Sequence, residues 1–105
     1  MGQGYALSEA CRVQSGIPLT RGFEGAGVPT SVDAVSDIEL VTVESPESIG
    51  PFGARGVGEI AMIPVVPAIT AAIHDACGVW IDTLPASPDQ VRAALESARS
   101  GPRGA

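Results

Sequence analysis

A long apolar stretch in the second half of the chain constrains the fold more than any other feature. Between Glu59 and Cys77 only four residues are polar: Glu59, Thr70, His74 and Asp75. A helix over this stretch would be apolar on nearly every face, and such a helix has to be buried all round. Few chains of 105 residues could surround it.

The remaining sequence offers little material for a core. The apolar content of 45% and a mean hydropathy of +0.26 lie well outside the range of disordered chains. However, two Phe, one Trp and one Tyr stand against 13 glycines and nine prolines, which is thin for an independent core at this size. We therefore expect an ordered piece that needs a larger body around it.

Prolines and a glycine predict the limits of the apolar helix. Pro64 is compatible with a helix start, whereas Pro67 lies deeper and should kink the helix or delay its regular start. Gly78 is a typical C-terminal stop.

Two further helices and a turn follow from local patterns. A stripe of apolar residues (Ala6, Leu7, Ala10 and Cys11) predicts an N-terminal helix that starts at residue 1 without room for an N-cap, as if cut into. The pair Ser15-Gly16, with Pro18 after it, marks a turn. The segment 87–90 (Ser-Pro-Asp-Gln) is a capping box that opens a terminal helix, whose apolar face comprises Val91, Ala94, Leu95 and Ala98.

Residues 37–44 carry the clearest strand pattern. Ile38, Leu40 and Thr42 alternate with Glu39, Val41 and Val43, and prolines at 46 and 51 close the segment. Residues 79–81 could form a second, short strand. The order of elements favours a mixed α/β or α+β piece, and we expect an α+β partial domain over residues 1–99 with a flexible tail at 100–105.

A bare glycine loop runs from this strand into a carboxylate at the start of the apolar helix. The loop is Gly50-Pro51-Phe52-Gly53-Ala54-Arg55-Gly56-Val57-Gly58, and Glu59 follows it. Glycines let a backbone approach a ligand closely. The order of the glycines is the reverse of a dinucleotide fingerprint, and the Lys-Ser/Thr pair of a P-loop is missing. Taken alone, Glu59 is either an active-site carboxylate or a charge favoured by the helix dipole.

Charge and composition argue against several classes of partner. The net charge is −6 with no lysine, so a footprint for nucleic acid or anionic lipid is missing. We expect no membrane span and no secretory signal, and therefore a cytoplasmic location. Cys11 and Cys77 lack the spacing of a zinc site, and His74 is expected to be a structural histidine and not a metal ligand.

Several ordered segments resemble the C-terminal end of the molybdenum-binding subunit of the xanthine dehydrogenase/aldehyde oxidase family. They are the N-terminal run 2–9, Val28-Pro29-Thr30 with Asp37-Ile38-Glu39, the loop 50–59, the run 63–69 and the run 84–91. The resemblance covers essentially the whole chain. Its most specific part is Gly56-Val57-Gly58-Glu59.

The resemblance implies a role for each residue of the loop. Glu59 would be the active-site base, and the backbone of Gly53, Ala54, Arg55, Gly56, Val57 and Gly58 would line the side facing a molybdenum–molybdopterin cofactor, in its simple or its cytosine dinucleotide form. No protein ligand to the metal is expected. Arg55 replaces the lysine associated with this position, and Met1 stands where the family commonly has a glutamine that reaches the pterin.

The family also implies partners and a reaction. We expect a molybdenum hydroxylase piece that helps to oxidise a heterocycle or aldehyde carbon with oxygen derived from water. It would need the remaining part of the molybdopterin subunit, with 2Fe-2S and FAD in partner domains or subunits. The alternative is a non-catalytic remnant or interaction module of the same family.

Overall fold

The computed structural model describes residues 1–100, and these contain four α-helices and one small hairpin. The helices are α1 (Gly2–Leu7), α2 (Gly22–Gly25), α3 (Val65–Cys77) and α4 (Pro88–Ser100), and the strands are β1 (Val13–Gln14) and β2 (Ile17–Pro18). Two single 3₁₀ turns, Pro51–Gly53 and Ile60–Met62, lie between α2 and α3. The α+β class is thus represented by helices and one two-stranded sheet.

The turn predicted at Ser15-Gly16 is confirmed. It joins β1 and β2 into an antiparallel pair in which Gln14 lies opposite Ile17. Ser15 and Gly16 have φ angles of 50° and 79°. Positive φ at both central residues is typical of the tight hairpin turn whose twist matches that of the flanking strands.

Small residues in α1 allow it to pack closely against the start of α3. A Cβ atom added to Gly2 would lie 2.5 Å from the Cβ of Val65, so the glycine is needed for this approach. Ala6 is fully buried, and its carbonyl oxygen accepts a 2.6 Å hydrogen bond from the N–H of Ala86. Ala6, Val79 and Ala86 are the buried apolar residues of residues 1–100, a very small core.

The apolar helix forms, and its limits agree with the prolines and the glycine. Pro64 is the N-cap of α3, and Pro67 is its third residue, where an N–H would be unsatisfied in any case. The regular helix therefore starts late, as predicted. Gly78 ends it in the left-handed conformation with φ of 75°.

The expected burial of this helix is wrong for the chain by itself, because no residue of α3 is buried. The expectation that no segment is apolar enough to span a membrane also needs correction. Ile60–Cys77 reaches 18 residues with a mean hydropathy of 1.6, which meets that criterion by length and composition. Its regular helical part has only 13 residues, about 20 Å against a hydrocarbon core of about 30 Å. A core helix of a larger protein, buried by other parts of that protein, has the same composition.

The strand predictions at 37–44 and 79–81 are wrong. Both segments lack helix and strand pairing in the structure. A strand needs a neighbour to take up its backbone hydrogen bonds, and the described part of the chain brings no second strand beside either segment.

The C-terminal helix is confirmed. The hydroxyl oxygen of Ser87 accepts a hydrogen bond from the N–H of Gln90 at 3.3 Å, as its capping role requires. Helix α4 then continues to Ser100. The flexible tail was predicted from residue 100 onward, and residues 101–105 lie outside the described part.

The dimensions show how little of its surface the chain buries. Its radius of gyration is 18.6 Å, whereas a compact domain of this length has about 13 Å. Its accessible surface is 8890 Å², against about 5,500 Å² for a compact protein of this mass. A chain with this much exposed surface is expected to contact a larger protein or domain.

Candidate functional site

The glycine loop is closed by its own backbone hydrogen bonds. The N–H of Glu47 donates to the carbonyl oxygen of Gly53 at 3.1 Å, and the N–H of Gly53 donates to Gly50 at 3.0 Å. Gly53 has a φ of 77°, and the Cα of Gly50 faces the carbonyl oxygen of Ala54 so closely that a Cβ would collide with it. Both glycines are therefore needed by the loop itself.

An ion pair spans the loop. The Nη2 atom of Arg55 lies 3.3 Å from the Oε2 atom of Glu47, with both side chains partly exposed. From its sequence context alone, Glu47 would be either a solvated charge or one that faces a partner subunit. Arg55 is thus oriented by a residue of this chain.

Gly56 and Gly58 differ from the other two glycines. A Cβ at either position would meet no described atom within 4 Å, and neither has the positive φ that favours glycine. Gly58 lies in the turn that precedes Ile60, but neither the backbone φ nor packing within the described residues requires glycine at either position. A ligand or another chain that approaches this backbone closely would explain the two glycines.

Phe52 is held in an unusual position. Its φ is 55° and its side chain is fully exposed, at 109% relative to a reference peptide. Aromatic residues seldom adopt positive φ, and doing so costs about 1–2 kcal/mol. The loop thus presents a large apolar side chain to the outside.

The loop forms one wall of an open cleft of about 900 Å³. Of the predicted cofactor-binding residues, Gly53, Ala54, Arg55, Gly56 and Val57 line it. Residues 43–47, at the end of the segment predicted as a strand, also line it. Gly58 and Glu59 are not among the lining residues.

Glu59 lies beside the cleft, at the N-cap of the 3₁₀ turn Ile60–Met62. It precedes α3 by six residues, so it is not in the first turn of the apolar helix as predicted. Its carbonyl oxygen accepts a 3.1 Å hydrogen bond from Met62, while its carboxylate is exposed and makes no hydrogen bond or ion pair within residues 1–100. The capping interpretation therefore has no support from a side-chain bond.

The other polar candidates lie elsewhere. The ring of His74 stacks on Trp80, with centroids 4.0 Å apart and planes at 20°. Over the described residues, no cluster of three or more His, Cys, Asp or Glu side chains is arranged to hold a metal ion.

The chain is similar to segments of several oxidoreductases. It is 39% identical over 94 residues to the probable hypoxanthine oxidase XdhD of Escherichia coli, covering 89% of this chain and 10% of that protein. It is 35% identical over 96 residues to a probable xanthine dehydrogenase subunit of Bacillus subtilis, covering 91% and 13%. The aldehyde oxidoreductase of Megalodesulfovibrio gigas is 38% identical over 91 residues, covering 78% and 10%.

A solved structure agrees with these relatives. Quinoline 2-oxidoreductase from Pseudomonas putida 86 matches with a TM-score of 0.76 and 29% identity, over 90% of this chain and 12% of that one. No family model matches the chain.

The chain is therefore homologous, over about nine-tenths of its length, to members of the xanthine dehydrogenase/aldehyde oxidase family. The resemblance seen in the sequence is confirmed. The chain spans only about a tenth of the length of the curated relatives it matches. The small share of the relatives' length agrees with the exposure of α3, since residues that would bury this helix are not found within the described chain.

The loop leaves room for a cofactor to approach its backbone, because Gly56 and Gly58 lack Cβ atoms and a Cβ there would meet no described atom. The charges of the cleft do not by themselves select an anionic group, since Arg55 is paired with Glu47 and Glu44 also lines the cleft. The fit concerns one wall of such a site only.

Proposed function

We propose that the chain is one piece of a molybdenum hydroxylase large subunit, the C-terminal one, and that it contributes the catalytic base, Glu59. The observation that carries this proposal is the pair Gly56 and Gly58. Nothing within residues 1–100 requires glycine at these positions, and they immediately precede an exposed carboxylate that makes no bond there. Homology to xanthine dehydrogenase subunits and an aldehyde oxidoreductase supports the reaction class.

The task of Glu59 in this proposal is to accept a proton. A general base has to reach the proton that it takes, at about 2.6–3.2 Å between heavy atoms. A carboxylate that is not committed to an ion pair within the described residues, next to backbone without side chains, meets this requirement. When bound, the molybdenum–molybdopterin cofactor, in its simple or its cytosine dinucleotide form, supplies the oxidising centre for hydroxylation of a heterocycle or aldehyde carbon.

The loop residues have a supporting task. The backbone of Gly53, Ala54, Gly56, Val57 and Gly58 lies against the cofactor side, and Arg55 presents its cation to an anionic group there. Glu47 holds Arg55 in place through the 3.3 Å ion pair. These groups orient the cofactor and take no part in proton transfer.

The activity needs partners. The name of one relative, subunit gamma of a 6-hydroxypseudooxynicotine dehydrogenase complex, describes a multi-subunit enzyme. We propose that the remaining part of the large subunit, together with iron–sulfur and flavin subunits, completes this enzyme in the cytoplasm.

Replacement of Glu59 by Gln in the assembled enzyme tests the base. The complex of this chain with the remaining large subunit and its iron–sulfur and flavin subunits should lose hydroxylation while it keeps its molybdenum content. A matched control is Glu24→Gln in α2, since Glu24 is also an exposed carboxylate without a side-chain bond within residues 1–100. Undiminished turnover in Glu59→Gln would remove the proposed role.

A non-catalytic module of the same family is the second candidate, and one observation favours it. Glu59 does not line the cleft formed by its neighbours. In that case the assembled complex would lack molybdenum in a metal analysis, and Glu59→Gln would change no measured rate.

A further inference from the structure

Phe52 occupies a position in a turn that normally favours glycine. The N–H of Gly53 donates to the carbonyl oxygen of Gly50, which closes a four-residue turn over residues 50–53. Phe52 is the third residue of this turn, with φ of 55° and ψ of 23°. Proline at the second position and a positive φ at the third are features of a type II turn, where glycine or asparagine is preferred at the third position. The backbone therefore gives no reason for a phenylalanine here.

The loop does not lack glycine around this position. Gly50 and Gly53, on either side of Pro51 and Phe52, are both required by the geometry of the loop. The ring of Phe52 is fully exposed, so packing within the described residues does not explain it. Backbone strain of this kind is typical of functional sites. The side chain therefore has to be explained by a contact with a molecule or surface outside the described chain.

Phe52 belongs to the cleft beside Glu59. It lines this cleft together with Val57 and Ile60, which are 67% and 58% exposed. Val57 precedes Glu59 by two residues and Ile60 follows it directly, so apolar side chains flank the proposed base on both sides along the chain. A substrate whose reacting carbon lies near Glu59 would therefore meet apolar surface.

We propose that Phe52 is a specificity-determining residue whose ring stacks on the aromatic ring of the substrate. This inference rests on the proposed function, because it takes Glu59 as the base beside the reacting carbon. Aromatic rings attract one another in offset or edge-to-face contact, beyond the effect of the area that they bury. A small aliphatic aldehyde offers no ring for this contact, so Phe52 favours aromatic over aliphatic substrates.

The cleft has the size and the surroundings that such a ring needs. Its volume of about 900 Å³ lies within the range of small-molecule sites. The charges of Arg55 and Glu47 are paired with each other, which leaves the apolar side chains as the surface that a neutral ring can contact. Glu44 also lines the cleft, and its carboxylate can accept a hydrogen bond from an N–H group of a heterocycle.

Steady-state kinetics of the assembled complex test the proposal. The probes are three aromatic compounds (purine, quinoline and benzaldehyde) and one aliphatic compound, acetaldehyde. Phe52→Gly removes the ring and suits the positive φ. It should raise KM for the aromatic probes that the unaltered enzyme oxidises by about tenfold and leave KM for acetaldehyde unchanged. The kcat should stay the same, because the stacking contact is equal in the ground state and the transition state. Phe52→Tyr keeps the ring and should restore KM.

Two leucine variants separate the ring from its bulk and from its position. Phe52→Leu keeps an apolar side chain without a ring, so KM for the aromatic probes should rise in this variant too. Phe23→Leu is the matched control, because Phe23 is the other phenylalanine of the chain, is 82% exposed and does not line the cleft. It should leave KM unchanged for every probe.

Chemical denaturation of the same complexes distinguishes a substrate contact from a packing contact. Phe52→Gly should leave the midpoint unchanged or raise it, because glycine adopts a positive φ without strain. A lower midpoint or weaker assembly in Phe52→Gly, recovered in Phe52→Tyr, would show that the ring packs against another part of the enzyme. That result would overturn the proposal.

The kinetic outcomes also separate this inference from the proposed function. If Glu59→Gln abolishes turnover, equal or absent changes of KM for aromatic and aliphatic probes would overturn this inference alone. So would an active complex that oxidises acetaldehyde and none of the aromatic probes. A complex that oxidises none of the four compounds would overturn the inference and the proposed function together.

Discussion

The guanidinium of Arg55 and the carboxylate of Glu47 form the one ion pair between different parts of the described chain, at 3.3 Å. The other ion pairs, Arg92 with Asp89 and with Glu96, join neighbours on α4. Glu47 also donates its backbone N–H to Gly53. It therefore holds both the backbone and the cation of the glycine loop.

We expect Glu47→Gln to release Arg55 without unfolding the chain. An exposed pair of this kind contributes about 0–1 kcal/mol, so the free energy of unfolding of the complex should change by no more than that. The cofactor content should change more than the stability if Arg55 has to be oriented. Chemical denaturation and metal analysis of the same preparation give the two values, with Glu96→Gln as the control for loss of an exposed ion pair. A drop in stability far above this range would contradict the assignment.

Gly56→Ala and Gly58→Ala separate a requirement of the fold from a requirement of the site. An added Cβ meets no described atom of the chain at either position, so the folded chain should tolerate both. The assembled complex should bind less cofactor, because the methyl group occupies the side that the cofactor approaches. Metal analysis, with circular dichroism on the same samples, checks this.

Gly25→Ala serves as the matched control, because a Cβ there also meets no described atom within 4 Å. Full cofactor content in both loop variants would contradict the proposed contact of the glycines.

The packing of α1 on α3 gives a prediction about stability alone. Gly2→Ala places a Cβ against the Cβ of Val65 at 2.5 Å, and overpacking of this kind costs about 1–3 kcal/mol. Val65→Ala keeps the Cβ but removes the Cγ1 and Cγ2 atoms at 2.8 and 3.0 Å, which relieves part of the clash. The double variant should therefore lose less stability than the two single variants lose together. A double-mutant cycle from denaturation of the complex measures this coupling, and strict additivity would contradict the contact.

Features of the structure that depend on residues adjacent in sequence could be predicted, whereas features that depend on distant surfaces could not. The cap at Ser87, the stop at Gly78 and the turn at Ser15-Gly16 need only neighbouring residues, and all are confirmed. The strand at 37–44 and the burial of α3 need surfaces from elsewhere, and neither forms within the described chain. The ion pair between Glu47 and Arg55 was not predicted, because an ion pair across a loop leaves no pattern in the spacing of residues.

The same distinction applies to the candidate site. Five of the six loop residues expected near the cofactor line one cleft, since they are consecutive in sequence and share one wall. Glu59 follows them in sequence but lies beside that cleft, and its predicted position at the first turn of α3 is wrong because Pro64 and Pro67 delay the helix.

Acidification should loosen the turn at residues 30–33, which is joined to α1 through Gln3. The carboxylate of Asp33 accepts hydrogen bonds from the hydroxyl of Thr30 at 2.7 Å and from its N–H at 2.8 Å, while the side chain of Gln3 donates to the carbonyl oxygen of Asp33 at 2.8 Å. The hydroxyl of Thr30 first, and then its N–H, lower the pKa of Asp33 below its ordinary value of 3.8. Because both bonds favour the charged form, their stabilisation is fully present above pH 3.8 and is lost as the pH falls through the lowered pKa. An NMR titration of the Asp33 carboxyl carbon should give this lowered pKa, and Thr30→Val, which removes only the hydroxyl donor, should return it toward 3.8. An Asp33 pKa that is the same in both proteins would show that the turn does not depend on this bond.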